Sequence, residues 1–148
     1  MSAEESSVTT GACSCGDIKY TFKGDALLTG LCHCLNCKRA SSNSFAANVI
    51  IPGETFEITS GKPTVYASNG GSGKETRLHF CGRCSSQIYA VSDVVPAFVF
   101  VKPGTFDDWE LAQTKFKPKV EVWCARRLAW QAPVEGAASF DGNAPSEA

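Results

Sequence analysis

Six residues, Cys32-His33-Cys34-Leu35-Asn36-Cys37, carry three thiols in a Cys-x-Cys-x-x-Cys pattern. Thiols at i and i+3 have the spacing of a metal knuckle, because the tight turn between them aims both sulfurs at one point. The upstream thiol can reach the same point from an extended approach. Three thiolates fill three corners of a tetrahedron. A structural zinc takes a fourth protein ligand there, whereas a catalytic zinc keeps the fourth position for water or substrate. The pattern therefore points either to a zinc-stapled domain or to an open, reactive centre.

The remaining cysteines sharpen the choice. Gly11-Ala12-Cys13-Ser14-Cys15-Gly16 offers one pair, flanked by glycines that let the backbone turn tightly. Cys81-Gly82-Arg83-Cys84 offers a second, and Cys124 stands alone. The simplest partition is a closed site of Cys13, Cys15, Cys81 and Cys84 beside an open site of Cys32, Cys34 and Cys37, although spacing alone permits others. The closed site would tie together positions 66 residues apart. Closing such a loop costs about 3–4 kcal/mol, while structural zinc supplies on the order of 10–16 kcal/mol in small peptides. Zinc wins that comparison, and two zinc ions per chain are expected. Cys124 reads as a small buried hydrophobe. His33 sits between two ligand cysteines, so its ring should point away from their metal and serve by hydrogen bonding. His79 alternates with Leu78 and Phe80 and should face solvent or substrate.

Metal is preferred over disulfides because the compartment reads as reducing. The first residues are acidic and polar, unlike a secretory signal. No stretch reaches the ~18 apolar residues of a membrane helix. A cytoplasmic location is expected, where thiols stay reduced, with no membrane partner. The net charge is -1, with both signs mixed along the chain, which argues against a sequence-independent nucleic-acid binder.

The 148 residues suffice for one domain with its own core. Residues 1–10 read as a flexible lead-in, 11–136 as the zinc-binding domain, and 137–148 as a polar tail whose Phe140 could dock. Ile18, Tyr20 and Phe22 alternate with polar residues, the mark of a half-buried strand. Apolar or alternating runs recur at 26–31, 45–51, 55–59, 65–67, 75–80, 87–91 and 97–101, broken by Gly, Pro and Ser. A single helical turn fits 38–43 and another fits 106–113. Val120, Val122 and Cys124 suggest a last strand. The expectation is an all-β, mainly β fold: a zinc-stapled sandwich of short antiparallel sheets with little helix.

The order Gly-x-Cys-x-Cys-Gly, Cys-His-Cys-x-x-Cys, Phe45-Ala46, Tyr66-x-Ser68, Phe80-Cys-x-x-Cys and Val122-Trp123 to Trp130 resembles the glutathione-dependent formaldehyde-activating (GFA) family. The resemblance spans about Gly11 to Trp130. It implies packed antiparallel sheets, a structural zinc on Cys13, Cys15, Cys81 and Cys84, and a catalytic zinc on Cys32, Cys34 and Cys37. It also implies carbon–sulfur lyase-like chemistry on a glutathione or other thiol adduct, of the type that forms S-hydroxymethylglutathione. Glutathione is then the expected co-substrate. Two positions depart from the family's pattern: Ser85 and Ser42 stand where glycine is usual.

A bound zinc lowers a thiol's pKa and holds it as thiolate, or polarises a carbonyl. Three thiolates leave the centre with a net charge of -1, which weakens Lewis acidity and favours thiol positioning. Lys38, Arg39, Arg126 and Arg127 are candidates for binding glutathione carboxylates. The alternative to an enzyme is a zinc-stabilised binding module without catalysis, since fold alone does not specify function.

Overall fold

The computed structural model describes residues 7–69 and 73–144. Eleven strands and one short α-helix make two sheets among the described residues. The smaller sheet has the order β1-β2-β5, from β1 (Val8–Ala12), β2 (Lys19–Lys23) and β5 (Phe56–Ser60). The larger runs β11-β10-β3-β4-β9-β8-β7-β6. Its central strands are β3 (Leu28–Cys32), β4 (Ala46–Pro52), β9 (Phe98–Val101) and β8 (Gln87–Ser92). β7 (Thr76–Phe80) and β6 (Thr64–Ser68) complete one flank, and β10 (Val120–Val122) and β11 (Ala138–Ser139) the other. The Gly/Ser-rich stretch after β6 lies partly outside the described residues.

The core sits between the sheets. Alternation in β2 buries Tyr20 and Phe22 while Lys19 and Lys23 stay exposed. Across from them the larger sheet contributes Val49, Ile51, Ile88, Val99 and Val101. Phe106 and Phe116, from the segment between β9 and β10, close the layer against Phe22, with ring centroids 5.5–5.9 Å apart. The ring of Tyr20 occupies the space a Cβ at Gly11 would need, 2.3 Å away, so this strand position admits only glycine.

The structure departs from the sequence reading in four places. The lead-in expected over 1–10 already contains β1 from Val8, and Thr9 is buried against the core. The pairing is antiparallel throughout except at β10, which runs parallel to β3 and to β11. The helix comes earlier than expected, as α1 (Leu35–Ser41), because Cys34 caps it by accepting the Cys37 N–H at 3.3 Å. The tail expected from 137 is docked over its described part: Ala138 pairs with Val120, and the Phe140 N–H donates to the Glu121 carbonyl at 2.9 Å. Backbone pairing against the open edge of β10 holds this stretch, and that leaves no mark in a pattern of large apolar residues.

Candidate functional site

Two tight turns meet to form the first cluster. Cys13 and Cys15 lie in the β1–β2 turn, and Cys81 and Cys84 in the β7–β8 turn, so the four thiols join the two sheets. Gly16 takes φ +82, the left-handed conformation that completes the first knuckle without a side-chain clash. The Cys13–Cys15 and Cys15–Cys81 sulfurs are 3.6 and 3.7 Å apart. That is too long for a disulfide, and all eight cysteines are unpaired. It matches the edge of a tetrahedron with Zn–S bonds of about 2.3 Å, which is about 3.8 Å. Backbone N–H groups also aim at the sulfurs. Ile18 donates to Cys13 at 3.2 Å, and Arg83 and Cys84 both donate to Cys81 at 3.4 Å. At Cys13 burial is outweighed by the Ile18 donor and by hydrogen bonds from Cys15 and Cys81, which favour thiolate over thiol. The Ser86 hydroxyl and N–H hold the Cys84 thiol down at about 5. The residues fit a closed tetrathiolate metal site.

The second cluster is built at the end of β3. Cys32 closes that strand, Cys34 caps α1, and Cys37 sits on its first turn, which brings the three sulfurs within 4.8 Å of one another. All three residues are half-buried, and among the described residues no fourth Cys, His, Asp or Glu joins them. They share their protons unequally. The Cys37 hydrogen bond is the main cause that brings Cys32 down to about 6, against the opposing effect of burial. The same bond pushes Cys37 up. A trio of this kind fits a metal held on three thiolates with one position open.

Behind this trio lies a buried polar network that sequence reasoning missed in part. His33 points away from the sulfurs, as its position between two ligands suggests. Its Nε2 meets Glu121 Oε1 at 2.8 Å, and both side chains are fully buried. The other Glu121 oxygen accepts the Val134 N–H at 2.8 Å and pairs with Arg127 at 3.2 Å. Burial alone would raise the Glu121 carboxyl; the Val134 N–H, His33 and Arg127 together hold it below its ordinary value. The strand pattern Val120-Glu121-Val122 was the available signal, since it turns a carboxylate inward from β10.

The structure also sorts the other candidates. Arg127 is committed to Glu121, Cys124 and Ser139, so it is a structural cation and not an open glutathione contact. Lys38 donates to the Arg126 carbonyl oxygen. Arg39 and Arg126 keep exposed side chains. Cys124 lies in a short 3-10 turn after β10 and is half-buried, its thiol donating to the Glu121 carbonyl at 3.4 Å. His79 is half-buried and belongs to neither cysteine cluster. It stacks on Tyr89 at 4.1 Å, and burial, then Arg77, lowers its pKa.

Lys102, at the end of β9, was not foreseen. Its side chain is half-buried, and its ammonium donates to Asn48 Oδ1 at 2.6 Å. Burial lowers its pKa, opposed by the nearby thiols of Cys37 and Cys32. It lines a cavity of about 170 Å³ with Ser41, Asn43, Phe45, Gln87 and Gly104, at the C-terminal end of α1. A lysine ending an apolar strand, Phe98-Val99-Phe100-Val101-Lys102, was the sequence signal for it.

No helix among the described residues is long and apolar enough to cross a membrane. Residues 8–126 match the model of the family described as glutathione-dependent formaldehyde-activating enzyme. A comparison with curated proteins finds no match. The fold is similar to the crystal structure of a Rhodobacter sphaeroides protein from structural genomics, with a TM-score of 0.55 at 17% identity, covering 67% of this chain and 88% of that one.

Proposed function

This chain belongs to the glutathione-dependent formaldehyde-activating enzyme family, and on that premise we propose that it is a zinc-dependent enzyme of carbon–sulfur chemistry. It acts on glutathione or another thiol and on the thiol's aldehyde adduct. The reaction class is addition of a thiol to an aldehyde and its reversal. A sulfur–carbon bond forms, and the thiol proton ends on the former carbonyl oxygen. One observation carries this reading: three thiols converge at Cys32, Cys34 and Cys37, with no fourth protein ligand among the described residues.

Zinc bound to this trio would leave one tetrahedral position and lower the pKa of a thiol that occupied it. The chain's own residues do the rest. Cys34 sets the start of α1 and so aims Cys37 at Cys32. His33 and Glu121 fix the backbone between the ligand cysteines. Arg39 and Arg126 present guanidinium groups to the carboxylates of the thiol. The cluster of Cys13, Cys15, Cys81 and Cys84 holds a second, structural zinc. Unpaired cysteines throughout support a cytoplasmic setting for this chemistry.

The test is exchange spectroscopy by NMR on glutathione and formaldehyde, with and without the zinc-loaded protein. The expected outcome is faster adduct exchange, abolished in Cys34→Ala while the β-sheet circular dichroism is retained. Loss of formaldehyde chemistry alone would leave other thiol adducts. Absence of glutathione binding at millimolar concentration, with the central zinc confirmed by elemental analysis, would replace the enzyme by a zinc-stabilised binding module.

A further inference from the structure

A one-carbon aldehyde has no substituent to recognise, yet a cavity of about 170 Å³ lies beside the segments that carry the cysteine trio, its lining including Ser41 and Ala46, the neighbours of Cys37 and Cys32. One water needs about 10–15 Å³ measured comparably, so the space admits a group of several heavy atoms. Its lining is chemically marked. Lys102 brings three N–H donors, of which one is used on Asn48. No carboxylate lies within ion-pair distance of it among the described residues. Asn43 spends its Oδ1 on Ser44, at 2.8 Å to the N–H, and its Nδ2 donors have no protein partner among the described residues. A half-buried cation with no carboxylate partner calls for an anion, and the exposed Asn43 amide at the rim has donors to offer it.

Resting on the function proposed above, we propose that Lys102 and Asn43 form an anion subsite that selects an aldehyde bearing a carboxylate, a 2-oxo acid of the glyoxylate type, over formaldehyde. Placement favours the aldehyde as the source of that carboxylate. Lys102 shares the cavity wall with Ser41, whose hydroxyl donates to the Cys37 carbonyl at 2.8 Å, and with Ala46, which pairs with Cys32. A carboxylate on the carbon joined to the reacting sulfur lies one bond beyond that carbon, the substrate carboxylate held nearest to this cavity. The carboxylates of glutathione lie many bonds from its sulfur and fall to the outer face, where Arg39 and Arg126 are exposed. The atoms balance as before: sulfur bonds to the aldehyde carbon, the thiol proton ends on the new hydroxyl, and the carboxylate is unchanged.

The first measurement is independent of turnover. Glycolate is titrated into the zinc-loaded, isotope-labelled protein and followed by amide chemical shifts, with ethylene glycol as the neutral match. Saturable shifts at Ser41, Asn43, Gln87 and Gly104 are expected from glycolate only. Lys102→Met should weaken its binding at least about tenfold, the effect of one hydrogen bond to a charged group. Asn43→Ala, at the exposed rim where folding is not at stake, should weaken it about threefold. Equal response to glycolate and ethylene glycol, or unchanged binding in Lys102→Met, overturns the subsite. The second measurement compares kcat/KM for glyoxylate and formaldehyde with glutathione. The ratio should favour glyoxylate and fall about tenfold in Lys102→Met. A rise in the glutathione KM with an unchanged ratio would assign Lys102 to the thiol and overturn the proposal. Glycolate binding with no thiol addition to any aldehyde would instead defeat the enzymatic reading and leave the anion site standing.

Discussion

Two serines carry backbone strain at the mouths of the two cysteine clusters. Ser42 ends α1 at φ 54, and Ser85 follows the second knuckle at φ 68. Both stand where the family's pattern carries glycine, and the geometry gives the reason. The left-handed region costs a residue with a Cβ about 1–2 kcal/mol, partly offset by the greater freedom of an unfolded glycine. Ser85→Gly should therefore raise the stability of the metal-loaded protein by up to about 1 kcal/mol, read from urea unfolding at constant slope. A loss of stability there would show that the Ser85 hydroxyl, which donates to the Cys84 carbonyl at 2.5 Å, matters more than the strain. Glu121 is the opposite case, a residue held by many partners. Glu121→Ala strands the buried His33 and the half-buried Arg127 and should cost about 3–5 kcal/mol. The sign of its pH dependence follows from its lowered pKa. The stabilisation is present above the carboxylate's unfolded value, near 4.3, and is lost as the pH falls through the lower folded value. Acid titration of wild type against Glu121→Gln should show that loss in the wild type only.

At the scale of elements, the sequence made some structure legible and concealed the rest for physical reasons. Strands with one buried face announced themselves, as Tyr20 and Phe22 did in β2. The cysteine spacings placed both clusters, because a knuckle is a local turn whose geometry is written in consecutive residues. Strand β11, with two exposed small residues, is held by backbone bonds and one Arg127–Ser139 hydrogen bond, and has no apolar side-chain signature. The parallel placement of β10 beside β3 brings Glu121 to His33 across 88 positions, and no local pattern encodes such a contact. Lys102 comes to the cavity beside α1 in the same way, through the order of strands. Helix α1, seven residues long, is too short to stand alone; Cys34 at its cap and any metal on its first turn hold it. Serine can cap a helix as cysteine does here but is a poor ligand for a soft site. Cys34→Ser should thus keep the sheet spectrum and lose about one metal ion per chain by elemental analysis. If it unfolds the protein as severely as Cys81→Ser, the two clusters have been given the wrong roles.

For the whole molecule, the cluster of Cys13, Cys15, Cys81 and Cys84 matters most, because it joins the small sheet to the large one at their ends. The core between the sheets is one layer of side chains, with Tyr20 and Phe22 on one side and Val49, Ile88 and Val101 on the other. Each sheet also packs a face on that layer. A metal bond between the β1–β2 and β7–β8 turns therefore supports both sheets at once, and its binding free energy becomes folding free energy. The trio at Cys32, Cys34 and Cys37 lies within a few residues of one chain segment and closes almost no loop, so its occupancy contributes little to folding. The two ions should leave in order. With rising chelator at neutral pH, one zinc per chain is expected to be released while circular dichroism is unchanged. Release of the second is expected to coincide with cooperative unfolding. A colorimetric zinc indicator and far-ultraviolet circular dichroism on the same sample measure both. Cys81→Ser should abolish the second phase by leaving the chain poorly folded at the outset, and Cys34→Ser should abolish only the first. Simultaneous release of both ions at a single chelator concentration would mean that the trio is as deeply tied into the fold as the tetrad, and the open position assigned to it would then lack its basis.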